Sequence, residues 1–246
     1  MKSYFYAFAM CQSMFCSIYF PCRVWQDSAK SKMLLFLPVI GLEIGAVWAF
    51  AGWLCRALSL HSTVTALILT VLPFLLTGFI HLDGFMDVTD AVGSCRDLQR
   101  RREILKDSHV GSFAVIGIVL LMLSQFALFS AVQPRVNLWA LIFVPAITRT
   151  AAGLAVLTLP KMTTSQYHDQ VIRKGQVCYM SLVLAALLIL DLLCFRTAGL
   201  SGLAAGIFCG LAIRKGYRSL QGMNGDISGY SITIGELAAA AVLALC

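Results

Sequence analysis

Charge is what this sequence has least of. Asp, Glu, Lys and Arg together make up 13% of its 246 residues, and no polar stretch between the apolar runs is long enough to fold as a soluble domain of its own. That scarcity excludes an ordinary water-soluble globule. A C-x-x-C pair is also missing, so the nine scattered cysteines form neither a zinc site nor a disulfide framework. Most of them lie inside apolar runs and read as small buried residues in contact with a reducing cytoplasm. There is no internal repeat and no low-complexity segment. The opening "MKSYFYAFAMCQSMFCSIYFP" places a lysine before an apolar run but lacks a small-x-small cleavage site. It therefore reads as a retained interfacial or membrane-embedded helix.

What is abundant is hydrocarbon: 59% of the residues are hydrophobic, and the mean hydropathy is +0.82. A spanning helix needs roughly 20 mostly apolar residues. Five runs reach that length, at 34–58, 63–82, 111–133, 137–160 and 177–195, and two weaker ones follow at 198–213 and 231–246. The expected fold is all-α, a polytopic integral membrane helical bundle of about six or seven transmembrane helices behind the N-terminal helix, forming one membrane domain over 1–246.

The net charge of +7 would suggest nucleic acid in a soluble protein. Here the basic residues sit in short loops, where they fit membrane orientation and no nucleic-acid partner is expected. If all seven runs cross, one side collects Arg23, Lys30, Lys32, Arg96, Arg100, Arg101, Arg102, Lys106, Lys161, Arg173, Lys174, Arg214, Lys215 and Arg218, and the other only Arg56, Arg135 and Arg196. The rich side is cytoplasmic by the positive-inside rule. The polar motifs "HLDGFMDVTDAVGS", "EILKDSHVGSF" and "GMNGDISG" all fall on that side.

Asp83, Asp87 and Asp90 are spaced i, i+4, i+7, which on a helix places three carboxylates on one stripe. Like charges so close repel unless a cation sits among them. Hard oxygen ligands suit Mg²⁺, which is typically held by one or two carboxylates together with substrate phosphates. Gly84 beside Asp83 permits close approach to the backbone. The alternative is a solvated acidic helix end neutralised by the arginines that follow. Downstream, Lys106 offers a point charge for a phosphate, and Asp107 or Ser108 a cap for the helix that opens near Gly111; capping and membrane anchoring explain the same residues. Arg149 lies deep in a span, where an unpaired charge costs at least ~2.5 kcal/mol. It needs a phosphate or an acid, and Glu43 and Asp191 are the candidate acids within spans. In "GMNGDISGYSITIGE", glycines surround Asp226, and a flexible loop there is expected to present backbone N–H groups to phosphates. Gly41 with Gly45, and Gly202 with Gly206 and Gly210, read as helix-packing faces.

In order along the chain, "FLPVIGLEIG", "TGFIHLDGFMDVTDAVGS", "ILKDSHVGSF" and "GDISGYSITIGE" resemble the cobalamin synthase family. The resemblance implies a multi-pass enzyme of the cell inner membrane with its active site facing the cytoplasm. Its reaction joins adenosylcobinamide-GDP to α-ribazole or α-ribazole 5'-phosphate with Mg²⁺, giving adenosylcobalamin or its 5'-phosphate and GMP. The partners expected are the two substrates and the lipid bilayer, with room for a homo-oligomer or a complex with other cobalamin-assembly enzymes. The expected site consists of Asp83, Asp87 and Asp90 as metal ligands and catalytic residues, with Lys106 and Asp107 beside them. His81, Gly84, Ser108, Arg149, Gly225, Asp226 and Glu236 are expected to contact substrate. The chain departs from the family pattern at Ala91, where glycine is usual, at Thr233, where glutamate is common, and in the loop 161–176, which lacks the usual glycine-rich stretch. Two rivals read less well. A CDP-alcohol phosphotransferase needs D-G-x-x-A-R, whereas Asp83 and Gly84 are followed by Phe85, Met86, Asp87 and Val88. A transporter built on Arg149, Asp191 and Glu43 would leave the aspartate stripe unused and would show paired halves.

Overall fold

The computed structural model describes residues 2–22, 24–162 and 174–246. Arg23, His168, Arg173 and most of the loop 161–176 lie outside the described residues. The helices are α1 (Lys2–Phe15), α2 (Asp27–Met33), α3 (Leu37–Ala57), α4 (Ser62–Leu76), α5 (Ile80–Gly93), α6 (Leu98–Ile104), α7 (Ser112–Ala131), α8 (Phe143–Thr158), α9 (Lys174–Phe195), α10 (Leu200–Leu220) and α11 (Gly225–Leu245). Among the described residues the only β pairing is an isolated bridge between Lys161 and Met223.

Among the described residues, five segments are long and apolar enough to cross a membrane: Asp27–Ala57, Ser112–Ala131, Leu138–Thr158, Lys174–Phe195 and Gly225–Leu245. The pair α4 and α5 supplies a sixth only if it is counted as one span bent by 93°. The all-α polytopic bundle expected from the sequence is therefore what the chain forms, with its span boundaries moved in three places. The run 63–82 breaks after Leu76 instead of crossing straight. The last run opens at Gly225, not 231. The run at 198–213 extends to Leu220 and takes in Arg214, Lys215 and Arg218, which leaves α10 outside the candidate spans.

The break between α4 and α5 has an identifiable cause. Gly78 and Phe79 both adopt the left-handed region, with φ of 58° and 65°, a conformation that ends a helix and that glycine enters without strain. Leu75 O keeps only a turn bond, from Gly78 N–H at 3.1 Å, and both it and Leu76 O also accept from the segment after α1. Ser17 donates its backbone N–H to Leu76 O at 2.7 Å and its hydroxyl to Leu75 O at 2.9 Å. The segment that follows α1 is thus fastened to the turn that redirects the chain.

At the centre lies α8, buried along nearly its whole length and packed on α3, α9, α10 and α11. Gly41 and Gly45 press α3 against the backbone at Ala146 and Ile142, which is the close packing expected of small residues. By contrast α7 and α9 turn Leu120, Leu123, Leu182 and Leu193 outward, as helices facing hydrocarbon do. The arginines after α5 contact protein. Arg102 donates to Leu220 O at 3.0 Å and to Gln221 O at 2.8 Å, and Arg101 donates to Ser219 O, so both close the C-terminus of α10.

Candidate active site

The three aspartates all fall on α5, so the i, i+4, i+7 stripe exists as a stripe. What gives it a partner is the crossing of α5 with α11. A Cβ on Gly84 would lie 2.8 Å from the Asp226 carbonyl, and one on Gly229 would lie 2.8 Å from the His81 carbonyl. The two backbones therefore touch at both glycines. Thr233 ties the same helices together by donating its hydroxyl to His81 O at 3.4 Å. The close approach expected at Gly84 is consequently made by α11 and not left open to a ligand.

That crossing sets Asp226, in the first turn of α11, beside the stripe. Asn224 caps the helix by accepting from Ile227 N–H at 3.0 Å, and its amide donates to Asp226 Oδ2 at 2.6 Å. The stretch expected to be a flexible glycine loop is thus an ordered helix start. Asp87 feels the negative charges of Asp83, Asp226 and Asp90, in that order of strength. Among the described residues, neither Asp83 nor Asp87 has a side-chain hydrogen bond, and no ion pair involves any of the four acids.

Asp90 has a second engagement. Its Oδ1 accepts from Ala114 N–H at 3.4 Å, and its carboxylate lies directly over Gly111, the N-cap of α7. A side-chain oxygen at a helix N-terminus satisfies a free N–H and complements the dipole. Asp90→Asn keeps an accepting oxygen there and is expected to retain most activity, whereas Asp90→Ala removes it and destabilises the protein by about 1 kcal/mol. Thermal unfolding of the two variants in detergent, with turnover measured alongside, checks the difference.

Lys106, Asp107, Ser108 and His109 are exposed on the linker between α6 and α7. Asp107 accepts from the His109 backbone N–H at 3.0 Å and meets its ring Nδ1 at 2.6 Å, and these contacts hold its carboxyl below the usual range. It caps its own turn and not α7, and among the described residues no hydrogen bond or ion pair joins Lys106, Asp107 or Ser108 to Asp83 or Asp87.

Beneath Asp83 and Asp226 is a cavity of about 130 Å³ whose polar wall includes His81, Arg149 and Gly225 and whose apolar wall includes Phe15 and Leu37. Arg149, 1% exposed, pairs with Glu236 at 2.8 Å and donates to Pro145 O at 3.2 Å. Its partner is Glu236, not Glu43 or Asp191, the two acids expected to compete for it. Glu43 accepts from Gln12 at 3.0 Å, and Asp191 is buried against the start of α10 at Gly202. Arg149 Nη2 lies 3.4 Å from His81 Nδ1. A guanidinium has no acceptor, so Nδ1 is the accepting nitrogen of the imidazole. The buried Nε of Arg149 has no partner among the described residues.

The donor set is the kind Mg²⁺ takes: oxygen only, with two carboxylates uncommitted. Among the described residues no three His, Cys, Asp or Glu side chains stand close enough to enclose a metal by themselves. Such a site matches an ion that draws its remaining ligands from phosphate and water. Sequence reasoning missed Asn224, whose place just before a helical run is an N-cap signal, and Phe15, for which no local signal exists.

The cobalamin-5-phosphate synthase family model matches residues 7–244. An adenosylcobinamide-GDP ribazoletransferase of Clostridium perfringens (strain SM101) is 34% identical over 242 residues, covering 96% of each chain. One from Clostridium botulinum (strain Alaska E43) is 31% identical over 243 residues, again 96% of each. A third, from Lachnoclostridium phytofermentans, is 29% identical over 92% of this chain and 88% of its own. No solved structure matches the chain. With the family match running through the α5 stripe, Arg149 and the start of α11 alike, this chain belongs to the cobalamin-5-phosphate synthase family.

Proposed function

We propose that this membrane protein is a transferase that joins adenosylcobinamide-GDP to α-ribazole, or to its 5'-phosphate, and releases GMP. The observation that carries this reading is that the α5–α11 crossing brings Asp83 and Asp226, with Asp87 within reach of their charge, to the mouth of a cavity that holds a buried arginine, and among the described residues none of the three carboxylates has a cation beside it. A solvated acidic patch would lie on an open surface, whereas Asp83 and Asp226 line a pocket.

A ribose hydroxyl of the acceptor attacks the phosphorus that carries cobinamide. A new P–O bond forms there, the bond to the bridging oxygen breaks, and GMP leaves with that oxygen while the hydroxyl proton passes to water or to one of the acids. Mg²⁺ held by Asp83 and Asp87, with Asp226 at its side, would supply offsetting charge for the diphosphate. The chain's own part is mainly positioning and charge stabilisation, as in other phosphoryl transfers. Arg149 supplies the positive charge on the cavity wall, with Glu236 and His81 fixing the plane of the guanidinium. The reading also puts the protein in the cell inner membrane with this mouth toward the cytoplasm, on the side that collects the basic residues.

The test is direct. Purified protein in detergent, given adenosylcobinamide-GDP, α-ribazole 5'-phosphate and Mg²⁺, is expected to release GMP and form a cobalamin phosphate in equal amounts. Intact substrates after prolonged incubation would count decisively against the assignment.

A further inference from the structure

The cavity beside Asp83 is the inner end of something longer. Met14, Ile80 and Asp83 also line a more open hollow of about 520 Å³ between α1 and the α4–α5 break. That hollow shares Ser13, Met14, Cys16 and Ser17 with a third, of about 650 Å³, whose outer lining includes Ile18, Tyr19, Phe20, Val24 and Trp25. The three adjoin at these shared walls, in the order Arg149, Asp83 and a rim of aromatic side chains, and together are called the trough.

Its walls are built. Ser17 fastens one side to Leu75 and Leu76 through two hydrogen bonds. Phe20 packs edge-on against Phe8, with ring centroids 5.4 Å apart, and Gln26 donates its backbone N–H to Met10 Sδ, which folds the segment back over α1. Tyr19 and Trp25 stand 78% and 57% exposed beside this trough, although both rings have apolar faces to cover. None of the described residues lining the outer hollow is charged.

We infer that the outer trough seats the flat heteroaromatic base of the ribose-bearing acceptor, with Tyr19 and Trp25 stacking on it. The inference rests on the proposed reaction, because it takes the phosphorus under attack to lie at Asp83. The attacking hydroxyl belongs to a ribose, so the base that ribose carries falls one sugar away, where Ser17 and Gly78 give way to the aromatic rim. A dimethylbenzimidazole has two methyl groups and no donor edge, so an apolar wall leaves little of it unsatisfied. Guanine would bury a full hydrogen-bonding edge against a wall whose polar side chains, among the described residues, are Ser13, Ser17 and Tyr19, at the cost of unpaired donors. Aromatic stacking on a flat base is strong enough to be read in binding.

The experiment uses the full chain in nanodiscs, with Tyr19→Ala, Trp25→Ala and Trp25→Phe as variants. Because both side chains are more than half exposed, their truncation leaves the core intact. Each alanine variant is expected to raise KM for α-ribazole 5'-phosphate about tenfold, within the range expected for a lost stack. KM for adenosylcobinamide-GDP and kcat stay within about twofold, and Trp25→Phe restores the wild-type value. A rise confined to adenosylcobinamide-GDP would hand the trough to guanine and overturn the inference. No change for either substrate would assign the two rings to the lipid interface and overturn it equally. Equilibrium dialysis of α-ribazole 5'-phosphate alone separates this from the reaction. Wild-type binding that weakens in the alanine variants, with no GMP released when both substrates and Mg²⁺ are supplied in the turnover assay, sinks the proposed reaction and keeps the trough. No binding to the wild type sinks the trough.

Discussion

Asp83→Asn and Asp87→Asn are each expected to cut GMP release by about a thousandfold, roughly 4 kcal/mol of transition-state stabilisation. Membrane insertion, purified yield and thermal unfolding should stay as in the wild type. The asymmetry follows from what these side chains touch. Neither makes a hydrogen bond or ion pair within the described protein, so the fold loses nothing when an isosteric amide replaces the carboxylate. Removing one like charge even relieves repulsion among Asp83, Asp87 and Asp226. Whatever falls is therefore attributable to a charge the reaction uses. Asp226→Asn should behave more mildly, raising the Mg²⁺ concentration for half-maximal rate by about tenfold, because Asn224 still holds the substituted amide in place. Turnover of Asp83→Asn or Asp87→Asn within threefold of wild type would remove the acid set from the chemistry.

The second large effect sits at the cavity wall and runs the other way. Glu236→Gln is expected to lower stability by about 3–5 kcal/mol, since it leaves the Arg149 guanidinium buried without its counter-charge. Arg149 is 1% exposed and Glu236 3%, so water cannot take the missing role without opening the bundle. Thermal unfolding in detergent reads the loss. The double variant Arg149→Met, Glu236→Leu replaces the pair with apolar side chains of similar reach, and it should recover most of the thermal midpoint. GMP release should remain low, because the cavity then has no guanidinium. Full activity in that double variant would show that the pair is structural and that Arg149 does not meet substrate.

How much of this could be read before the fold was known depends on how local each signal is. Spans were legible because hydrocarbon length is written residue by residue, and the acidic stripe was legible because helical periodicity needs only three positions. The break at Gly78 and Phe79 was hidden inside an unbroken apolar run: hydropathy does not register a sign change in φ, and Phe79 reads as a continuing span. Asp226 was found as an acid but misplaced in a loop, because its glycines spoke louder than Asn224, which starts the helix. The partner of Arg149 was not legible at all. Glu43 and Asp191 are the candidate partners by sequence, and only the packing of α11 on α8 sets Glu236 against it instead. In the sequence Asp90 is equivalent to its two neighbours, because its contact with α7 is a fact of tertiary packing alone.

The 93° turn ahead of α5 has one more effect. A helix rises about 1.5 Å per residue, so a stripe carried straight on from α4 would have separated its first and last acids by about 10 Å along that axis. Turned through a right angle, the same stripe gains almost no height. Asp83 and Asp87, one helical turn apart, stand on a common level, like a shelf, and a pyrophosphate laid flat meets both instead of reaching down a ladder for each in turn.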